Sequence, residues 1–224
     1  MTGFSFKSIV LQIIQGCVVL LPISIIAFGI SFILDGFSNA GSLYAAILLG
    51  GTFVIGVLID FLADTLEAIV LKVGWLKPPS YYLLKNGSIW GIRLAHYQKI
   101  KDDLIYRAKR FDKTINAKAD LSSVDYNNLV FQTAKNKAFK ECSDYQKEHL
   151  ESFFILYVFC RNLAFSIIMS FILIICFCFE NINNISPFII LCVVLAAAIC
   201  ILASYRYFIY YSRMVLGANF NPST

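Results

Sequence analysis

The chain alternates between long apolar stretches and polar segments. Four stretches are apolar almost without interruption: about Ile9 to Leu34, Leu43 to Ile59, Phe153 to Phe179 and Ile185 to Ser204. A helix needs about 20 predominantly apolar residues to cross a bilayer. Strands of membrane barrels are shorter, about 10 residues, and alternate in polarity. The pattern therefore predicts four transmembrane helices.

Short polar loops join these stretches in pairs. D-G-F-S-N-A-G-S separates the first two, and E-N-I-N-N-I-S separates the last two. Both loops are rich in turn-forming residues, which predicts two antiparallel helical hairpins. The predicted division is a first transmembrane hairpin over 1–62, a helical region over 63–151, a second transmembrane hairpin over 152–204 and a tail over 205–224.

The polar region between the hairpins also reads as helical. The second span is expected to continue through the acidic segment 60–71 and to end near Val73 and Gly74. A second helix is predicted over about Ile92 to Phe111 from the spacing of its apolar residues. A third is predicted from Ser122, where S-S-V-D resembles a capping box, and no Gly or Pro interrupts it before Glu180. The predicted fold class is an all-α integral membrane protein.

Composition and charge agree with a membrane protein and predict its orientation. Apolar residues make up 58% of the chain and charged residues 15%, whereas soluble domains are about a quarter charged. Of the 19 Lys and Arg residues, 15 lie within 63–151 and none lies in either hairpin loop. Since basic segments stay on the cytoplasmic side, both termini and the central region are predicted to be cytoplasmic. The net charge of +5 is thereby explained by topology, and a nucleic-acid partner is not expected.

One basic residue, Arg161, lies inside the third apolar stretch. A charge at that depth costs at least a few kcal/mol unless it is paired or reaches the headgroups. Asp60 and Asp64, at the end of the second span, are the predicted partners in an intramembrane ion pair. Two interpretations stay open: a structural pair with a snorkelling side chain, or a group with a gating or partner-sensing role.

Other polar residues in the spans permit helix contacts. Gln12 and Gln15 share a helix face in the first span, and Asn162 adjoins Arg161. These three residues are read either as interhelical contacts or as the lining of a polar path. Small residues such as Ala46 and Gly50 in the second span allow close helix packing, either within the chain or in a homo-oligomer.

A basic stretch lies in the second predicted helix of the central region. It could bind lipid headgroups, a cytoplasmic protein partner or, less consistently with its interspersed acids, RNA. The residues concerned are Lys99, Lys101, Arg107, Lys109, Arg110 and Lys113.

Recognisable catalytic chemistry is absent from the sequence. The chain has two histidines, His96 and His149, without metal-ligand spacing, and it lacks the phosphate-binding and dinucleotide-binding glycine motifs. Neither an enzymatic activity nor a cofactor or metal is therefore expected.

The layout resembles a group of small bacterial four-pass membrane proteins. The resemblance rests on the two hairpins, the helical insert, and the acidic extension of the second span. It also rests on the segment YVFCRNLAF in the third span, which contains Arg161 and Asn162. Accessory proteins encoded beside type VI CRISPR effectors and other antiphage systems belong to this group. The resemblance implies modulation of an antiviral defence response at the inner membrane, by partner binding or by an oligomeric pore. The alternative is a small oligomeric channel or transporter unrelated to defence.

Overall fold

The computed structural model is helical, with one short antiparallel strand pair among the residues it describes. It describes residues 6–73, 77–111, 124–177 and 186–218, in places by their backbone alone. In chain order the elements are α1 Phe6–Val73, α2 Pro79–Asn86, β1 Ser88–Ile89, β2 Ile92–Arg93, α3 Tyr97–Phe111, α4 Val124–Glu141, α5 Asp144–Phe177 and α6 Pro187–Gly217.

Three described helical segments are long and apolar enough to cross a membrane. They are Ala45–Leu71, Asp144–Cys176 and Pro187–Gly217. Ile9–Leu20 is apolar but shorter, and the side chains of most of the remaining predicted first span lie outside the described set. Long apolar helices of this kind indicate a membrane-embedded protein. The fourth span stays a prediction.

Helix α1 consists of two antiparallel arms, although its backbone is helical throughout. A straight helix would separate residues 16 and 52 by about 54 Å. Instead, a Cβ built on Gly16 would lie 1.7 Å from the carbonyl oxygen of Thr52, and one on Gly56 would lie 2.0 Å from that of Gln12. In both contacting pairs, 16 with 52 and 12 with 56, the midpoint along the chain is residue 34, which adjoins the predicted loop. The chain therefore turns back within α1.

The residues that allow this close approach differ from those expected. Among the described atoms, none lies within 4 Å of a Cβ built on Gly50, and Ala46 is exposed. Gly16 and Gly56 are buried instead, each against the backbone of the opposite arm. Ala46 and Gly50 therefore make no close packing contact of this kind with the described part of the chain, and the alternative of contact with a second copy stays a prediction.

The chain divides into two compact units, and helices α1, α5 and α6 contribute residues to both. The first comprises Met1–Ala68 and Val158–Ser204, and the second comprises Ile69–Tyr157 and Tyr205–Thr224. The structure places residues 205–217 in α6 rather than in a separate tail. Their buried side chains, including Ile209 and Val215, complete the core of the second unit.

The second unit is built from α2, the strand pair, α3, α4 and the ends of α5 and α6. Its buried core includes Leu83 and Leu84 of α2, Val130 of α4 and Leu150 of α5. Aromatic rings join α5 to α6, since Tyr157 stacks on Phe208 with ring centroids 4.6 Å apart. The unit thus has a hydrophobic core of its own.

The start of this unit contains elements that the sequence analysis missed. Pro79 occupies the first turn of α2, and Gly87 ends the helix in the left-handed conformation, with φ 72°. Trp90 and Gly91, both with positive φ, form the two-residue turn between β1 and β2. The predicted helix over Ile92 to Phe111 is therefore wrong at its start, and α3 begins only at Tyr97.

The predicted unbroken helix from Ser122 into the third span is also wrong. Helix α4 ends at Glu141, and α5 begins at Asp144. The Ser143 Oγ accepts a hydrogen bond from the Gln146 N–H at 3.4 Å, and the Gln146 Oε1 accepts one from the Ser143 N–H at 3.3 Å. This reciprocal capping box starts a new helix without any Gly or Pro.

We expect Ser143→Ala to lower the free energy of unfolding by about 1 kcal/mol, because it removes the cap of α5. Chemical unfolding in detergent, followed by circular dichroism, measures this change. Ser152→Ala is the matched control, because the Ser152 hydroxyl donates to the Glu148 carbonyl within its own helix and caps no helix end. Equal stability of the Ser143 and Ser152 variants would show that the cap contributes nothing.

Candidate functional site

Arg161 of α5 lies in a cluster of charged side chains within the first unit. Its Nη2 is 3.2 Å from Asp60 Oδ1, and its Nη1 is 3.1 Å from Asp64 Oδ1 and 2.6 Å from Glu67 Oε2. The three carboxylates lie on one face of the second arm of α1, at helical spacing i, i+4 and i+7. The structure thus brings Arg161 together with Asp60 and Asp64, the partners that the sequence analysis selected.

Glu67 was missed as a partner of Arg161. Glu67 lies on the same helix face as Asp60 and Asp64. The two aspartates were predicted as the partners because they lie nearer the predicted end of the second span. The contact of Glu67 with the guanidinium, 2.6 Å, is the shortest of the three. Glu67 lies about one helical turn beyond Asp64. Its longer side chain and the separated nitrogens of the guanidinium allow the contact at that distance along the helix.

Two amides connect this cluster to the first arm of α1. Arg161 Nε donates to Asn162 Oδ1 at 3.1 Å, and Asn162 Nδ2 donates to Asp60 Oδ1 at 2.7 Å and to Gln15 Oε1 at 3.5 Å. Asn162 and Gln15 are buried. The network therefore joins three helical segments, the two arms of α1 and α5, through polar side chains.

The charged cluster combines a shielded cation with partly accessible anions. The Arg161 side chain is 15% exposed, whereas Asp60 is 39% and Asp64 is 77% exposed. Three carboxylates surround one guanidinium, so these four side chains carry more negative than positive charge. The exposed oxygens of Asp64 are thus the part of the cluster that another cation can reach.

Gln12 lies one helical turn from Gln15 on the first arm. Its Oε1 is buried and has no hydrogen-bond partner among the described atoms. Burying an amide oxygen without a hydrogen bond costs about 1–3 kcal/mol of stability. Gln12 and Gln15 therefore differ in their surroundings, since Gln15 bonds Asn162.

The six basic residues of the predicted binding helix are described unevenly. Lys99 is exposed on α3, and Lys101 Nζ donates to the Tyr97 hydroxyl at 3.3 Å. The side chains of Arg107, Lys109 and Arg110 are not described, and Lys113 lies outside the described residues. On the described part of α3, Gln98, Lys99 and Asp102 are exposed, and the binding of a partner or of lipid by this helix stays a prediction.

No family model, curated protein or solved structure matches this chain. In the described ranges, no group of three or more His, Cys, Asp or Glu residues could hold a metal ion.

Proposed function

We propose that this chain is a non-enzymatic protein of the bacterial inner membrane that acts in antiviral defence, as a regulator of an effector or as a homo-oligomeric membrane effector. The observation that carries the proposal is the Arg161 cluster within a helix that is apolar enough to span a membrane. Ionisable groups at such positions are rare and usually functional. The resemblance to accessory proteins of antiphage systems supports the defence role.

The cluster supplies an element that a signal can change. Movement of the second arm against α5 must separate Arg161 from carboxylates at 2.6–3.2 Å. A cation from a partner protein or from a second copy can compete for Asp64, which is 77% exposed. A second cation beside Asp64 partly neutralises its charge, so it weakens the attraction between Asp64 and Arg161 and favours rearrangement.

The second candidate function is a small oligomeric channel or transporter. Its specific support is the run of polar side chains from Gln15 through Asn162 to Asp60, linked by contacts of 3.5 and 2.7 Å. Polar chains of this kind can carry protons or ions across an apolar layer.

Phage challenge of bacterial cells that express the protein with its neighbouring genes tests the defence role. We expect Arg161→Ala, and reversal of the basic charges over 99–113, to change phage survival and the membrane potential during infection. Lys140→Glu is the matched control, since Lys140 is an exposed charge on α4 outside that stretch. Unchanged survival and unchanged potential in both test variants would contradict the proposal.

The channel alternative makes a different prediction in the absence of infection. Purified wild-type protein in planar bilayers would conduct, and Asp60→Asn would alter the conductance because it removes the charge at the end of the polar chain. A defence regulator leaves bilayers insulating, whereas a membrane effector can conduct, and both change survival when phage is present. Conductance without any effect on phage survival would therefore favour the channel and reject the defence role.

A further inference from the structure

A large apolar side chain is exposed at the tip of the strand pair. Trp90 is 60% exposed and adopts φ 48°, a conformation that residues with a side chain rarely adopt. Its ring lies 4.8 Å from the ring of Tyr205, on α6. The turn thus places the indole on the surface, beside Tyr205 of α6. The Trp90 side chain is not part of the buried core.

Tyr205 marks the end of the apolar surface of α6. The helix exposes large hydrophobic side chains at Phe188, Ile189, Ile190, Leu191, Val194, Leu195, Ile199, Ile201 and Leu202. Tyr205 lies about 27 Å along the helix from Pro187, close to the thickness of a hydrocarbon core of about 30 Å. Arg206 follows it directly. A hydrocarbon layer that begins at Pro187 would therefore end near Tyr205 and the Trp90 ring beside it.

Positive charge gathers on a neighbouring part of the same unit. The Tyr81 hydroxyl accepts hydrogen bonds from Lys77 Nζ at 3.3 Å and from Lys85 Nζ at 3.4 Å. The Tyr81 ring lies 5.4 Å from that of Tyr82, which packs on the same core as Tyr205. The Lys77 hydrogen bond, with the positive charges of both lysines, lowers the pKa of Tyr81 below its usual 10.

Two ammonium groups that converge on one oxygen repel each other, so an anion beside them is favoured. Phospholipid headgroups supply a phosphate at this level, and basic residues near a membrane surface are attracted to anionic lipid. Trp and Tyr are the residues enriched at the same level, because their rings are both apolar and polar.

We propose that the strand pair is an interfacial anchor, in which the Trp90 indole inserts among the lipid headgroups of the membrane that α6 crosses and Lys77 and Lys85 contact lipid phosphate. This inference requires that α6 spans the bilayer. It does not require a role in defence, so the two proposals can fail separately.

The chain has two tryptophans, so Trp75→Phe leaves Trp90 as the single indole of the full-length protein. In vesicles, the fluorescence emission of Trp90 is expected to be blue-shifted, and lipids brominated near the headgroup are expected to quench it. Lipids brominated near the chain end, and aqueous iodide, are expected to quench it less. Trp75→Tyr provides a second single-indole background if the first folds poorly.

The matched control places an indole at a solvent position. Tyr145 is 70% exposed near the start of α5, about 12 Å along the helix before the predicted span begins at Phe153. In a Trp75→Phe, Trp90→Phe background, Tyr145→Trp is expected to be quenched by iodide and not by bromolipid. If Trp90 shows this same solvent pattern, the anchor does not exist.

Lipid charge tests the lysine contacts separately. Adding phosphatidylglycerol to phosphatidylcholine vesicles is expected to increase quenching of Trp90 by the shallow bromolipid. Lys77→Gln with Lys85→Gln should abolish this increase, whereas Lys140→Gln, at an exposed position on α4, should preserve it. An increase of the same size in all three proteins would overturn the assignment of the two lysines to lipid phosphate.

Discussion

Arg161→Ala is expected to lower the free energy of unfolding by about 3 kcal/mol, at the low end for breaking a buried ion pair. The substitution leaves Asp60, Asp64 and Glu67 close together without the guanidinium that now contacts all three. The partial exposure of Asp60 and Asp64 moderates the loss, because solvent screens them. Unfolding by dodecyl sulfate in mixed micelles, followed by circular dichroism, measures it.

Two further variants separate charge from geometry. Arg161→Lys retains one positive charge but cannot present the planar fork that now reaches three carboxylates and Asn162, so it should fall between wild type and Arg161→Ala. Arg161→Met combined with Asp60→Asn, Asp64→Asn and Glu67→Gln should recover much of the loss, because no charge is left unpaired. If Arg161→Ala is within about 0.5 kcal/mol of wild type, as for an ordinary surface change, the cluster is not structural.

Alanine at Gly16 or Gly56 is expected to destabilise the first unit by about 2–3 kcal/mol, because overpacking a close backbone contact forces the arms apart. The added Cβ would lie 1.7 Å from the Thr52 carbonyl oxygen at Gly16, and 2.0 Å from the Gln12 carbonyl oxygen at Gly56. These neighbours are backbone atoms, so no side-chain rotation relieves the overlap. The same dodecyl sulfate titration measures the effect.

Gly50→Ala is the matched control on the same arm. A Cβ there meets no described atom within 4 Å, and alanine favours a helix over glycine by about 1 kcal/mol. This variant should therefore be neutral or more stable than wild type. If Gly16→Ala and Gly56→Ala were also stabilising, the arms of α1 would not pack against each other and the antiparallel arrangement would be incorrect.

The sequence predicted much of the helical framework because two signals do not depend on tertiary contacts. They are the length of the apolar stretches and the helical spacing of polar residues. Apolar stretches of about 20 residues predict membrane-spanning helices whatever they pack against. The acidic spacing of Asp60, Asp64 and Glu67 likewise follows from helical periodicity. A lone Arg161 in an apolar stretch is costly unless it is paired or reaches the headgroups. The structure shows the first outcome, because carboxylates of the second arm contact its guanidinium.

At two places, local stereochemistry sets the boundary of an element that the hydrophobic pattern does not indicate. The absence of Gly and Pro favoured a continuous helix through residue 143, yet the Ser143 and Gln146 pair caps a new one. Trp90 and Gly91 favoured no particular element because tryptophan is rare in a left-handed turn. In both places short-range hydrogen bonding overrides the hydrophobic pattern.

By itself, the sequence predicted long apolar helices with a polar helical insert, and it predicted that Arg161 either pairs with Asp60 and Asp64 or reaches the headgroups. Only the tertiary structure decided that Gly16 and Gly56, rather than Gly50, set the approach of the arms. It also decided that Glu67 joins the cluster and that the end of α6 completes the second core. The physical reason is that composition and periodicity describe what a segment can bury. Which surface buries it depends on the register between segments far apart in the chain, and local sequence does not encode that register.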